Sequence, residues 1–275
     1  MMEISINGEK GGITLEQEKT AGEVLSGLEG WLRNSGHRLS GIKINGELVK
    51  AASLEDVFDR DLGDIENMDI LTSSWAELAA DALAALIRDL CDFEESDFQD
   101  RSRFAAEWIE SPSSRFLSEE IPEIHAWASF AFSGQGYSPS ELKLIVEERL
   151  RELEDPQAEL EKIGKPVEEL EKRLEDLPLD FQTGKDRQAA ETIQIFSATA
   201  EKIMRIYAIL KVEGYDLVSR GVEDKTLPEY LAEFNTALRE LLAAYEAKDA
   251  VLAGDIAEYE LAPRLTRLFA GIKGD

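Results

Sequence analysis

The sequence predicts an α+β protein, with a small mixed module of strands and one helix at residues 1–72 and a larger helical domain at 74–275. Two observations support this division. Near the start, Ile4 and Ile6 alternate with polar residues, which is the period of a half-buried strand. From Ser74 onward, apolar residues recur every three or four positions, which is the period of an amphipathic helix.

The first strand is expected to lead through a turn at 8–12 into a second short strand at 13–16. Thr20 and Glu23 have the spacing of a capping box, in which hydroxyl and carboxylate bond reciprocally to backbone N–H groups, so a helix should start there. Gly36 should end this helix, because glycine accepts the positive φ of the residue that follows a helix terminus.

A hairpin is predicted after the helix. The strand that ends at Ile44 precedes Asn45-Gly46, a strong hairpin signal because both residues tolerate positive φ. The return strand is expected at 48–49, a short turn at 54–58 and a last strand at 68–71.

The order strand, strand, helix, strand, short strand, strand is that of a β-grasp fold. The segments MEISINGE, KINGELV and LGDIENMDIL carry this pattern, and residues 1–72 resemble the ubiquitin-like sulfur carriers of the ThiS and MoaD type. Those carriers end in an exposed Gly-Gly whose carboxyl group is activated, whereas here the last strand runs into Thr72-Ser73-Ser74. The resemblance therefore implies the fold and an interaction role, and it argues against sulfur transfer.

The first half of the helical domain is expected to contain several separate helices. Ser73 or Ser74 should cap a helix that extends to Leu90, and an acidic linker should follow at 92–100. The remaining predicted elements are helices around 104–109 and 116–132 and a long helical hairpin near 138–177.

The second arm of this hairpin carries an apolar stripe with a spacing of three and four residues. Such a stripe is typical of a seam that packs on another helix, from a partner protein or from a second copy in a homodimer. The residues predicted to bind a partner are Leu160, Ile163, Val167, Leu170 and Leu174. Pro166 lies inside the stripe and should kink the helix or restart it after Gly164.

The end of the chain is also predicted to be helical. A loop is expected at 178–186, followed by a long helix that ends at Gly214. Two more helices, at 227–247 and 250–272, should complete the domain, and Pro263 predicts a kink in the last one.

The chain carries 57 acidic and 30 basic residues, for a formal net charge of −27. Such a surface repels phosphate, so we expect no nucleic acid and no membrane as partners, and a protein with a basic surface fits better. Neither a signal peptide nor an apolar run of bilayer length is found. The single cysteine, Cys91, fits a reducing compartment, and we expect a cytoplasmic protein.

Residue types for metal or nucleophilic chemistry are scarce. His37 and His125 are the only histidines, and neither an HExxH nor a CxxC motif is present. Cys91 has no neighbouring histidine, and we expect both Cys91 and His125 to be packing residues. We therefore predict no metal site and no cofactor.

Five polar residues form a candidate ligand cluster, namely Lys185, Asp249, Asp255, Glu258 and Glu260. Gly184-Lys185 precedes a helix and is compatible with anion binding, because backbone N–H groups at a helix start attract anions. The first glycine of a phosphate-binding loop is absent, however, and Asp186 favours a helix cap instead.

Asp255 and Glu258 are three residues apart and therefore share a helix face. Paired carboxylates can hold a metal ion or transfer a proton, although helical bundles that bind two metal ions also place a histidine at a fixed offset, and none is present here. The alternative is a set of polar contacts between the last two helices, with Asp249 as a helix N-cap.

Two further segments, DFQTGKDRQAAETIQIFSATAEKIMRIYAIL and ELLAAYEAKDAVLAGDIAEYELAPRL, are similar as a pair to segments of uncharacterised helical proteins from flagellated and spirochaetal bacteria. The similarity covers roughly residues 178–270. It implies a helical bundle and a motility-linked setting, and it implies no catalytic residue.

We therefore expect a non-catalytic protein-binding adaptor or chaperone-like scaffold. The competing hypothesis is a helical-bundle enzyme or small-ligand binder, and its candidate site residues are Asp255, Glu258, Glu260, His125 and Lys185. The two hypotheses differ in what the structure should contain: an exposed apolar groove for a partner, or a buried cluster of carboxylates.

Overall fold

A computed structural model of the chain describes residues 2–10, 18–49, 54–97, 99–217 and 220–274. A mixed β-sheet comes first and helices follow, so the predicted α+β class is confirmed. The chain divides into two compact units, residues 1–143 and 144–275. The domain boundary expected between residues 72 and 74 stays a prediction. Within the described ranges, no helix is long and apolar enough to cross a membrane.

The first unit contains a five-stranded mixed sheet. Its strands are β1 (Glu3–Ile6), β2 (Glu9–Lys10), β3 (His37–Ile44), β4 (Glu47–Leu48) and β5 (Asn67–Ser74). They lie in the order β2-β1-β5-β3-β4, in which β1 and β5 are parallel and the other neighbours are antiparallel. Helix α1 (Ala21–Asn34) packs on the sheet, and the shared core includes Val24, Leu25, Ile42, Met68 and Ile70.

Both ends of α1 are as predicted. The Thr20 hydroxyl accepts a hydrogen bond from the Glu23 backbone N–H, and the Glu23 carboxylate accepts one from the Thr20 N–H, each at 3.3 Å. Gly36 follows the last turn with a φ of 76°. The capping box satisfies N–H groups that the first turn of a helix leaves unpaired, which fixes where the helix begins.

Two Asn-Gly pairs shape the sheet. Asn45-Gly46, with φ values of 51° and 85°, forms the predicted turn between β3 and β4. The turn expected over 8–12 is wrong in position, because Glu9–Lys10 already forms β2 against β1. Asn7-Gly8 makes the turn instead, with φ values of 51° and 79°. The second strand predicted at 13–16 lies outside the described residues.

Five helices and one 3-10 turn complete the described part of the first unit, namely α2 (Leu54–Phe58), the 3-10 turn (Leu62–Asp64), α3 (Trp75–Glu95), α4 (Arg101–Ile109), α5 (Pro112–Glu120) and α6 (Pro122–Phe132). Ser74 is the N-cap of α3, as one of the two predicted alternatives, and accepts a hydrogen bond from the Glu77 N–H at 3.1 Å. The linker predicted at 92–100 is partly helical, since α3 extends to Glu95. The buried Phe93 ring explains this, because it packs on Phe104 and Phe132 with centroid separations of 5.6 and 5.0 Å.

Eight helices and one small hairpin follow in the described part of the chain. They are α7 (Pro139–Glu154), α8 (Pro156–Lys162), α9 (Gly164–Glu175), α10 (Leu177–Gln182), α11 (Asp186–Val212), the hairpin of β6 (Gly221–Val222) and β7 (Lys225–Thr226), α12 (Leu227–Glu246), α13 (Ala250–Asp255) and α14 (Ala262–Lys273). The restart predicted at Gly164 is confirmed. The loop predicted at 178–186 is wrong over its first half, where burial of Leu177 and the ion pair between Asp180 and Lys185 stabilise α10.

The apolar stripe predicted to bind a partner is buried inside the second unit. Leu160, Ile163, Val167, Leu170 and Leu174 are between 0 and 8 % exposed. They join one core with the apolar faces of α11, α12 and α14, which include Phe196, Phe234 and Leu265. The protein's own helices therefore occupy the seam, and a partner helix cannot contact these five side chains without opening the core.

The break predicted at Pro263 takes the form of a π-helical turn, Ile256–Leu261, between α13 and α14. A continuous α-helix would need the N–H of residue 263 to bond the carbonyl of Tyr259, and proline has no N–H. The wider turn, with its i→i+5 bonds, accommodates this interruption while the chain remains helical on both sides.

Removal of one stripe residue tests whether the stripe is part of the core. Leu170→Ala should lower the free energy of unfolding by about 2–5 kcal/mol, because Leu170 is only 2 % exposed and its truncation leaves a cavity. Glu168→Ala, at an exposed position of the same helix, should change it by less than about 0.5 kcal/mol. Urea unfolding measures both values. Equal small effects would mean that the stripe does not pack as described.

Candidate functional site

The five residues of the candidate cluster lie in different surroundings within the second unit. Lys185 immediately precedes α11, Asp249 precedes α13, and Asp255, Glu258 and Glu260 lie at or within the π-helical turn. Asp255 and Glu260 line one groove together, whereas Lys185 and Asp249 each line a different concavity. None of these three concavities, which are formed by residues that the structure describes, is lined by all five side chains.

Lys185 neutralises a buried carboxylate. Its Nζ lies 3.2 Å from Oδ1 of Asp180, a residue that is 3 % exposed, and its backbone N–H donates to the Asp180 carbonyl at 2.9 Å. The expectation that Asp186 caps α11 is wrong, because Asp186 is the first helical residue and no side chain caps this end. A carboxylate in the first turn still stabilises the helix through its dipole.

Asp249 is a helix cap, which confirms the structural alternative for this residue. Its Oδ1 accepts a hydrogen bond from the Leu252 backbone N–H at 3.0 Å. The helix that starts here also lies close to α10, because a Cβ at Gly254 would meet Pro178 at 3.1 Å. The cap and this close approach together fix the path of the chain into the π-helical turn.

The main exposed concavity at the predicted residues is a groove between α12 and the π-helical turn, with a volume of 690 Å³. We call it the acidic groove. The residues that characterise it are Glu233, Glu240, Asp255, Tyr259, Glu260 and Arg264. One wall is the exposed face of α12, and the other is formed by the π-helical turn and the start of α14.

Carboxylates dominate the acidic groove. Arg264 binds Glu260, with Nη1 and Oε2 2.7 Å apart, and Lys225 binds Glu233, with Nζ and Oε2 2.6 Å apart. Glu240 and Asp255 have no ion-pair partner among the described residues. The groove therefore presents two carboxylates whose charge no neighbouring cation neutralises, and they are available to a cationic group from outside.

Tyr259 adds an apolar surface to the groove. Its side chain is 66 % exposed, and a hydrogen bond to Glu258 together with the negative charge of that residue raises the pKa of the phenol. The ring therefore stays neutral at physiological pH. Earlier in the chain, α13 exposes Val251 and Leu252, which are 74 and 48 % accessible.

Groups for metal binding do not assemble in the part of the chain that the structure describes, where no set of three or more His, Cys, Asp and Glu side chains is arranged around a common point. His125 belongs to the first unit and stacks on Trp108, with ring centroids 5.3 Å apart, as expected for a packing residue. Cys91 is a free, partly buried thiol. The acidic groove itself offers carboxylates, a phenol and apolar surface.

A second group of charges, which the sequence did not predict, lies inside the second unit. We call it the buried ion network, formed by Glu148, Glu152, Glu159, Lys202 and Arg205. The Lys202 Nζ lies 2.7 Å from Glu148 and 2.9 Å from Glu159. Arg205 binds both oxygens of Glu152 at 2.9 Å. The network joins α7 and α8 to α11.

Burial sets the ionisation of this network. It raises the pKa of Glu152, which is 1 % exposed, to about 7, although the charges of Arg149 and Lys202 oppose the shift. Burial also raises the pKa of Glu159, but hydrogen bonds from Lys162 and Lys202 outweigh it and leave that pKa lowered. Burial lowers the pKa of Lys202, and bonds to Glu148 and Glu159 outweigh it and leave that pKa raised.

One sequence signal was available for the buried ion network. Lys202 and Arg205 interrupt the apolar pattern of α11 between Ala200 and Ile206, both of which are buried. Basic residues at such positions need carboxylates opposite them, because an unpaired buried charge is strongly unfavourable. The many Glu residues of 142–177 obscured which of them supply those carboxylates.

The fold and the groove together define an α+β protein whose second unit carries an acidic groove. Residues 2–74 match the family described as the TP0873 N-terminal domain, and residues 159–270 match a domain of unknown function, DUF8042. Over 271 residues the chain is 22 % identical to an uncharacterized protein of Treponema pallidum (strain Nichols). The aligned residues make up 98 % of this chain and 96 % of that protein. This relative agrees with the predicted similarity to spirochaetal proteins. No solved structure matches the chain.

The pKa of Glu152 predicts a pH dependence of stability. Because the pKa of Glu152 is about 7 in the folded state and 4.5 for an unperturbed Glu, the folded state binds more protons between these limits. The free energy of unfolding should therefore fall as the pH rises from 5 to 7.5, by at most about 3 kcal/mol.

Glu152→Gln should remove this slope, because the amide does not titrate. Glu148→Gln, at a more exposed position of the same network, serves as the matched control and should retain it. Urea unfolding at several pH values measures the slope. If Glu152→Gln has the same slope as the natural sequence, Glu152 does not titrate in this range.

Proposed function

We propose that this protein is a non-catalytic adaptor that binds another protein, and that the acidic groove receives a basic, amphipathic segment of that partner. One observation carries the proposal: two unneutralised carboxylates, Glu240 and Asp255, share a groove with the exposed ring of Tyr259. Lys or Arg side chains of a partner would bind the carboxylates, and apolar side chains would cover the ring.

The dimensions of the acidic groove support a helical segment. The α12 wall runs from Ala232 to Glu240, which is about 12 Å at 1.5 Å per residue. This length corresponds to about two turns of a partner helix, on which basic and apolar residues three and four positions apart would face the groove together. Helix-in-groove recognition commonly uses such spacing.

The charge of the chain supports a different protein as the partner. A net charge of −27 attracts cationic segments over a distance and speeds their association. The same charge opposes the approach of two acidic grooves, so a homodimer through this surface is disfavoured. A partner with a basic surface is not repelled in this way.

The first unit supports an interaction role by another route. We propose that its sheet is a β-grasp module, on the basis of the segment resemblance and of the observed order of strands and helix. Both edge strands, β2 and β4, have two residues, and Leu48 at the β4 edge is 62 % exposed. A cytoplasmic, motility-linked setting belongs to the same proposal, and its support is the single cysteine and the spirochaetal resemblance.

A defined peptide tests the proposal directly. A fluorescein-labelled amphipathic helix of Lys and Leu should bind the full chain saturably, more weakly as salt is added, and a matched helix of Glu and Leu should not bind. Fluorescence anisotropy measures both. The double variant Glu240→Lys with Asp255→Lys should bind the basic peptide at least about tenfold more weakly, which corresponds to about 1.4 kcal/mol.

The control variant changes the same net charge elsewhere. Glu168→Lys with Glu175→Lys places two lysines on the exposed face of α9, outside the acidic groove. It should reduce binding of the basic peptide by less than about threefold, because only the long-range attraction changes. If both double variants weaken binding equally, the groove has no specific role and the proposal fails.

A further inference from the structure

The first unit contains a second concavity, unrelated to the acidic groove, which we call the apolar cleft. Its volume is 280 Å³. The inner surface is formed by Leu32, Leu39, Phe58, Leu78 and Phe116, which come from α1, β3, α2, α3 and α5. A little below the roughly 300–1,000 Å³ of drug-sized ligand sites, this volume suits a small molecule.

A β-bulge directs Leu39 into the cleft. In the pairing of β3 with β5, Leu39 lies opposite Thr72 and Gly41 opposite Leu71, so Ser40 has no partner. Without this extra residue, strict alternation from the buried Ile42 would turn Leu39 to the other face of the sheet. Bulges often re-aim a side chain beside a functional site, and here the re-aimed side chain remains 37 % exposed.

A glycine allows Phe58 to reach the cleft. A Cβ at Gly22 would lie 2.7 Å from Cδ1 of Phe58 and 2.8 Å from its carbonyl oxygen. The absence of a side chain at this position of α1 therefore lets α2 approach closely. Phe58 remains 39 % exposed, although it packs closely on α1 at Gly22.

Ion pairs at the rim are already formed within the protein. Glu120 of α5 accepts hydrogen bonds from Arg38 at 3.0 and 3.1 Å and from the Trp75 indole at 3.0 Å, which hold α5 at the cleft. Hydrogen bonds from Arg38 lower the pKa of Glu120, so the carboxylate stays ionised. Arg33 lies 3.3 Å from Glu29 and 3.9 Å from Glu120.

Two further charged or titratable side chains lie at the rim, His37 and Glu119. His37 bonds through Nδ1 to the Ser35 carbonyl at 2.9 Å, and Glu119 is exposed. An anionic ligand would compete with Glu29 and Glu120 for Arg33, and a cationic ligand would compete with Arg33 and Arg38 for the rim carboxylates. The surface that is free to bind is therefore the apolar one.

We propose that the apolar cleft binds a small, uncharged molecule with an apolar body, which contacts Leu39, Phe58 and Phe116. This site is separate from the proposed acidic groove and does not depend on it. Burial of apolar ligand surface against preformed apolar walls provides the affinity, and the paired charges at the rim disfavour ligands that carry a charge.

Titration of the full chain with 1-naphthol tests the site. Two-dimensional ¹H–¹⁵N spectra should show a saturable shift of the Trp75 indole N–H, because its acceptor Glu120 lines the cleft. Trp75→Phe assigns that resonance. Binding of 1-naphthoate and of 1-naphthylmethylammonium should be at least about tenfold weaker than binding of 1-naphthol, a factor that corresponds to about 1.4 kcal/mol.

Two variants with matched controls locate the binding. Leu39→Asp places a charge in the cleft and should weaken binding at least about tenfold, whereas Leu48→Asp, at an exposed edge position outside it, should change binding less than about twofold. Ser26→Trp blocks the mouth from an exposed position and leaves the core intact, and Ser118→Trp on α5 is its control.

The proposal is overturned if 1-naphthol produces no saturable shift, or if each control variant weakens binding as much as its test variant. Equal binding of the two charged naphthalenes would also overturn it, because the rim would then not select an uncharged ligand.

Discussion

Burial of the apolar stripe of α8 and α9, from Leu160 to Leu174, is the constraint on which the second unit depends. The stripe packs on α11 and α14, and each fully buried aliphatic side chain contributes about 1.5–3 kcal/mol relative to exposure. With α9 and α14 on its apolar face, α11 turns Lys202 and Arg205 toward α7 and α8. The hydrophobic contact thereby decides which charged side chains become buried, and the ion network completes the packing that the stripe begins.

Acidic residues have two roles in this protein, and burial separates them. Glu152 and Glu159 are enclosed, so their charges require Arg205 and Lys202 at hydrogen-bonding distance. Glu240 and Asp255 remain in solvent, where water stabilises the charge and no partner is needed. The carboxylates that the composition reveals therefore fall into two groups: the enclosed ones form ion pairs within the fold, and the exposed ones give the acidic groove its charge.

Local signals in the sequence predicted the elements that depend on local contacts. The Thr20–Glu23 capping box and the Asn45-Gly46 turn involve neighbouring residues only, so spacing identifies them. Asn7-Gly8 carries the same turn signal, but the glycines within 8–12 led to a turn predicted too late in the sequence. Tertiary burial decided the rest: Phe93 extends α3, and only the packing of α9 shows that its stripe faces inward.

The site was predicted less completely for the same reason. Asp249 as a cap follows from its position before a helix, whereas the acidic groove requires α12 to lie beside the π-helical turn, which no spacing within one helix reveals. The apolar cleft could be predicted even less, because it depends on a one-residue bulge at Ser40 and on the close approach of Phe58 to Gly22.

The π-helical turn has a consequence for how the end of the chain tolerates insertion and deletion. Each residue of an α-helix turns the chain by about 100°, and a π-turn contains one residue more than the α-helical turn it replaces. Loss of one residue from Ile256–Leu261 would therefore convert the π-turn into an α-turn and leave Leu265, Leu268 and Ile272 facing the core, whereas loss of a second residue would rotate α14 by about 100°. The extra residue thus lets the chain pass Pro263 without a change in the phase of its last helix.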